Sequence, residues 1–133
     1  MPNLSAWSPT FLGSLRIISG LLFLEHGTQK LLNFPAGERG GVELASLMGV
    51  AGVLETVGGA LIVLGLLTRP AAFLLSGMMA IAYWTAHAPR SLYPISNEGG
   101  EAILFCFIFL YLVFAGPGRF ALDALIGARK PAV

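Results

Sequence analysis

The run LASLMGVAGVLETVGGALIVLGLL, from Leu44 to Leu67, decides the fold: it is about two dozen residues long and carries one charge, Glu55. An uninterrupted apolar stretch of about 18 or more residues is long enough to cross a bilayer as a helix. In water such a helix would expose far more apolar surface than a soluble protein tolerates. In hydrocarbon the cost falls instead on Glu55, near the middle of the run. A charge at that depth costs roughly 2.5–3.5 kcal/mol on insertion scales, so Glu55 needs a partner or a proton.

Composition extends this reading to the whole chain. Of 133 residues, 56% are hydrophobic and 11% charged, against ~45–50% and ~25% in soluble domains. The length suits a single domain over residues 1–133 with four short-connected spans and no added soluble domain. The expected fold class is therefore all-α, a four-transmembrane-helix bundle. A net charge of +1 provides no basic patch, which excludes nucleic acid as a partner. Cys106 is the only cysteine, so neither an intrachain disulfide nor a cysteine metal site can form. Two histidines are few for a zinc site, and no metal is expected.

Punctuation places the spans. Met1 to Pro9 is a short polar lead without the basic start of a signal peptide, so the first span, about 10–33, is retained. Pro35, Gly37, Gly40 and Gly41 mark a loop, with Glu38, Arg39 and Glu43 in it. The second span is about 44–67. Leu67-Thr68-Arg69-Pro70 forms a tight turn, and Pro70 opens the third span, about 70–88. Tyr93-Pro94 lies in the next loop. Asn97 is expected to cap the fourth span, about 97–115, with acidic Glu98 in its first turn. A short interfacial helix over Phe120 to Ile126 and a basic tail over 128–133 complete the chain.

Arg69, Arg119, Arg129 and Lys130, with Arg16 at the edge, fall on one side; Lys30, Arg39 and Arg90 fall on the other. The positive-inside rule then puts both termini in the cytoplasm. At about 100° per residue, Gly13, Arg16, Gly20, Phe23 and Gly27 form one stripe of the first helix. Gly52, Gly58 and Gly59 lie near Glu55 on the second. Small residues let backbones approach closely, so these faces are expected to pack together. At ~1.5 Å per residue, Arg16 lies roughly 9 Å and Glu55 roughly 13 Å from the cytoplasmic edge. An Arg16–Glu55 ion pair is therefore expected. The alternative is that Arg16 snorkels and Glu55 is protonated.

Other polar residues collect near the opposite surface: His26 and Lys30 on the first helix, His87 at the end of the third, Asn97 and Glu101 at the start of the fourth. Together they form a candidate binding pocket for a polar head group, a proton path or a quinone ring. The bland alternative is a wet rim at the helix ends. Glu25 points away from Arg16, among Ile18, Leu21 and Leu22: either it meets another protein chain, for which it is the candidate contact, or it snorkels outward, or the helix is distorted there. Trp84, Tyr83, Tyr93 and Tyr111 suit an aromatic belt.

Four ordered stretches carry a family resemblance: RIISGLLFLEHGTQKL from Arg16, LETVGGALIVLGLLTRPAA from Leu54, NEGGE from Asn97 and FIFLYLVFAGPGRFALDAL from Phe107. Together they resemble the DoxX family over nearly the whole chain. The matching positions are Arg16, His26, Gly27, Lys30, Glu55, Gly58, Gly59, Arg69, Asn97, Glu101, Gly116, Gly118 and Asp123. The resemblance implies a multi-pass protein of the bacterial inner (plasma) membrane. Relatives include a membrane subunit of thiosulfate:quinone oxidoreductases and accessory proteins that assemble with oxidative-stress enzymes.

Three functions remain open. One is a redox- or quinone-linked membrane subunit whose histidine or lysine donates to a quinone carbonyl. It would need a partner carrying the redox centre, because the chain has no Rossmann fingerprint, Cys-x-x-Cys motif or paired haem ligands, and no covalently bound cofactor is expected. The second is a non-catalytic structural subunit, in contact with lipid and with other membrane chains or copies of itself. The third is a small-solute or proton pathway through Glu55. Whether the protein is an enzyme is left undecided by these residues.

Overall fold

The computed structural model describes residues 3–38 and 40–127. Arg39 and the basic tail, both used in the orientation reading, lie outside the described residues. Among those described, the protein is all-α, without a strand. After a 3-10 turn at Leu4–Trp7 come α1 (Ser8–Leu32), α2 (Leu47–Leu64), α3 (Thr68–Ala82), α4 (Pro94–Asn97), α5 (Gly100–Ala115) and α6 (Leu122–Gly127). A π turn, Tyr83–His87, follows α3 without a break.

Caps set the helix ends, and they trim the apolar runs. Ser46 accepts a bond from the Gly49 N–H at 3.0 Å, so α2 opens at Leu47 rather than at Leu44. Gly65 takes the left-handed conformation at φ 64° and closes it. Asn33 closes α1 in the same way at φ 51°. Asn97 departs from its expected role. It ends α4, and its Oδ1 accepts from the Gly99 N–H at 2.7 Å, while α5 opens at Gly100. Asn97 thus braces the turn before the helix and does not cap it. The short helix expected over Phe120 to Ile126 is α6.

The helices divide into two compact units. The first contains α1, α2 and the segment from Pro117 onward. Its core is the glycine stripe read from the sequence: Gly13, Arg16, Ser19, Gly20, Phe23 and Gly27 are buried on α1, and Gly49, Gly52, Glu55, Gly58, Gly59 and Ile62 on α2. The two helices run antiparallel in near backbone contact. A Cβ on Gly20 would lie 2.9 Å from the Val63 nitrogen, one on Gly59 2.8 Å from the Leu24 nitrogen, and one on Gly27 2.5 Å from the Thr56 nitrogen. Each step toward the end of α1 is a step toward the start of α2.

The second unit runs from Arg69 to Gly116. Ala72, Leu75, Met79, Phe105, Phe109 and Leu112 are buried in it, and Ser76 donates to the Cys106 carbonyl at 2.9 Å, tying α3 to α5. Arg69 donates to the Phe114 carbonyl at 3.0 Å, satisfying the end of α5. Two segments, Leu4–Leu32 and Leu47–Leu64, are long and apolar enough to cross a membrane; α5 is apolar but shorter. Ile18, Val57, Phe73, Ile81 and Phe107 are all more than half exposed, as lipid-facing residues would be.

Close backbone packing makes a specific claim about two glycines. Gly27→Ala should destabilise the protein by about 1–3 kcal/mol through overpacking. Gly77, where an added Cβ meets nothing within 4 Å, should accept alanine neutrally or with a gain of up to ~1 kcal/mol. Unfolding in mild detergent, read by circular dichroism against added SDS, distinguishes the two.

Candidate functional site

Buried charge in the first unit is confined to Arg16 and Glu55 among the described residues, and its placement follows from the helix register. Glu55 lies level with Thr28 by extrapolation from the Gly27–Thr56 and Leu24–Gly59 contacts. Lys30, half a turn further on, is the nearest cation, and its Nζ lies 2.5 Å from Glu55 Oε1. The two side chains are 15% and 4% exposed, so the ion pair is largely desolvated. Glu55 Oε2 is buried and has no hydrogen-bond partner among the described residues.

The expected Arg16–Glu55 pair is therefore incorrect. The two residues sit about twelve residues apart in register, roughly 18 Å at the helical rise. The physical reason is that α1 and α2 do not end level with each other. In fact α2 stops opposite Ser19, and the earlier part of α1 extends beyond it. The chain after α5 returns to cover that extension. Arg119 N–H donates to the Pro9 carbonyl at 2.9 Å, and Asp123 N–H to the Gly65 carbonyl at 2.8 Å.

Arg16 is fully buried where these segments meet. Its Nε donates to Pro117 O at 2.8 Å. Nη1 donates to Ile62 O and Val63 O, both at 2.6 Å. Nη2 donates to Arg119 O at 3.1 Å and Phe120 O at 2.9 Å. All five guanidinium donors are thus used. Two of the acceptors are last-turn carbonyls of α2, at the negative end of its dipole.

Asp123 does the complementary work. Its Oδ1 accepts from the Leu67 N–H at 2.7 Å and its Oδ2 from the Thr68 N–H at 2.9 Å, which satisfies donors at the opening of α3. Burial pushes the Asp123 carboxyl up. The bonds from Thr68 and Leu67 and the nearby Arg16 charge outweigh that and hold it below its ordinary range. Apart from its place among the family positions, nothing marked Asp123 in the sequence. The available clue was local: the turn Leu67-Thr68-Arg69-Pro70 supplies no carboxylate of its own.

The polar cluster of the second unit surrounds the π turn. His87 Nδ1 lies 2.9 Å from the Asn97 carbonyl. The fully buried Asn97 side chain donates to Ser91 O at 2.9 Å and to the Tyr83 hydroxyl at 3.4 Å. The Tyr83 ring stacks on His87 with centroids 6.4 Å apart, so Tyr83, first assigned to an aromatic belt, belongs to this cluster. Arg90 and Glu98 pair at 3.3 Å on the exposed surface. Of the five candidate pocket residues, half-buried His26 and Lys30 belong to the first unit, and His87, Asn97 and exposed Glu101 to the second. Glu25 is exposed on α1 beside exposed Ile18, Leu21 and Leu22.

Comparison with known proteins agrees with a membrane protein. The DoxX family profile matches residues 11–88. A protein of Haemophilus influenzae described as uncharacterized is 45% identical over 92% of this chain and 96% of its own length. An uncharacterized membrane protein of Mycobacterium tuberculosis is 31% identical over 97% of this chain and 89% of its own. No solved structure matches the chain. The class defined is a helical membrane protein built on close glycine contacts and buried ion pairing. The chain belongs to the DoxX family.

Two measurements test the electrostatics. Lys30→Met or Glu55→Leu alone should each cost about 3–5 kcal/mol, because one buried charge is left without its partner. The double variant Lys30→Met/Glu55→Leu should lose less than either single one in detergent unfolding. For Asp123, a lowered folded pKa stabilises above the unfolded value of ~3.9 and loses that contribution as pH falls through the folded value. Wild type should therefore lose stability on the acid side of about pH 4, while Asp123→Asn, weaker at neutral pH by about 1 kcal/mol, should lack that acid step.

Proposed function

We propose that this protein is a four-span subunit of the bacterial inner membrane, redox- or quinone-linked, working with a second chain that carries the redox centre. Four spans are reached if α3 with its π turn, Thr68 through His87, and α5 with the preceding Pro94–Asn97 turn join the two longer helices. Both termini are then cytoplasmic by the positive-inside rule.

The observation that carries the subunit reading is Glu25. A carboxylate on a membrane-length helix, exposed among exposed leucines and isoleucine, is costly against lipid and inexpensive against a polar group of a neighbouring protein. The redox half rests on the resemblance to subunits of quinone-linked enzymes. Its proposed quinone site is the cluster of the second unit, His87 with the buried Asn97.

Purification in mild detergent tests this. A chain with flavin, haem or iron–sulfur absorbance should accompany the wild type and be lost from Glu25→Leu, whose own unfolding is unchanged because the residue is exposed. A partner without a redox centre would favour the non-catalytic structural subunit, and a lone monomer would remove both readings.

A further inference from the structure

The second unit fixes the proton of one imidazole, and that decides what the ring can bind. A backbone carbonyl only accepts, so His87 Nδ1, 2.9 Å from Asn97 O, must carry the hydrogen and donate it. Whenever the ring is neutral, its lone pair is then on Nε2. This arrangement is rigidly held. Asn97 is buried, with its side chain bonded to Ser91 O, Gly99 N and the Tyr83 hydroxyl, and Tyr83 stacks at 17° on the imidazole. The π turn that carries Tyr83 and His87 closes with the Ala88 N–H on the Tyr83 carbonyl at 2.9 Å. Such turns inside helices are frequent at functional sites.

The surrounding segment is apolar and open. Trp84 meets Tyr83 edge-on with centroids 5.4 Å apart and is 70% exposed. Leu92, Tyr93 and Ile95 are exposed by 81%, 67% and 95%. Surface of this kind at the end of a membrane helix partitions into the lipid interface, where an amphiphile would arrive. A metal is not the natural ligand, since no group of three or more His, Cys, Asp or Glu side chains gathers among the described residues.

We propose that His87 Nε2 is the acceptor for the hydroxyl of an amphiphilic phenol, the hydroquinone form of a membrane quinone in preference to the quinone. The hydroquinone identity rests on the quinone-linked function above; the hydroxyl preference rests on the tautomer alone. In the neutral form with Nδ1–H, Nε2 accepts and does not donate to a quinone carbonyl, the reverse of the donor role expected of this histidine. The site assigns binding and orientation of the hydroxyl, with no electron transfer by this chain.

The test uses the full-length protein in nanodiscs with 15N-labelled histidine, in alkaline buffer and without oxygen. The chain has two histidines, so His26→Gln assigns the rings. His87 should show a protonated Nδ1 and a bare Nε2. A short-chain hydroquinone should shift the Nε2 resonance and bind about tenfold more tightly than its dimethyl ether or its quinone, the worth of one hydrogen bond. A protonated Nε2 in the free protein, or equal binding of the dimethyl ether, overturns the proposal. So does the right tautomer with no shift from either hydroquinone or a simple alkylphenol. If the alkylphenol shifts Nε2 while the natively purified protein carries no quinone, the hydroxyl site stands and the quinone-linked function falls.

Discussion

Five hydrogen bonds from one arginine hold three separate stretches of the first unit in register. Arg16 reaches the last turn of α2 and the irregular backbone of Pro117, Arg119 and Phe120 from a position with no solvent exposure. Carbonyls at such a place have no water to turn to, and each left unsatisfied costs free energy. A lysine would bring three donors from a single point; the guanidinium brings five in a fixed plane. The irregular return of the chain after α5 is tolerated because that plane is there to meet it.

The surrounding residues follow from the same requirement. Gly118 adopts φ 67°, and a Cβ on Gly13 would lie 2.5 Å from the Arg119 carbonyl oxygen, so the returning segment runs against the backbone of α1. Asp123 then arrives where the N–H groups of Leu67 and Thr68 need acceptors, and its charge lies near that of Arg16. Gly13, Arg16, Gly118 and Asp123 are one structural device distributed over more than a hundred positions of sequence.

That distribution explains what could and could not be read from the residues alone. The helical period exposed the glycine stripes directly, because which residues share a face is a local property. The partner of Glu55 was not local. It depended on how far α1 extends past α2, which is set by a segment from the other end of the chain. Pairing Arg16 with Glu55 also assumed that a buried cation seeks a carboxylate, whereas arginine is equally served by carbonyls at a helix terminus. Asn97 was misplaced for a related reason: its side chain suits a cap and a turn alike, and the left-handed Glu98 at φ 57° that selects the turn is invisible in composition.

The first unit thus commits Arg16, Lys30, Glu55 and Asp123 to its own architecture, and this sharpens the functional question. Ionisable groups inside a membrane are retained for structure or for function, and two functional candidates, Lys30 and Glu55, are held in a structural pair. Two groups differ from them. The Glu25 carboxylate faces outward from α1, and the His87 ring is held at Nδ1 and by stacking, which aims its second nitrogen without engaging it. One concerns what lies beside the protein and the other what binds to it. Glu25 belongs to the first unit and His87 to the second, each on a scaffold held by its own buried hydrogen bonds.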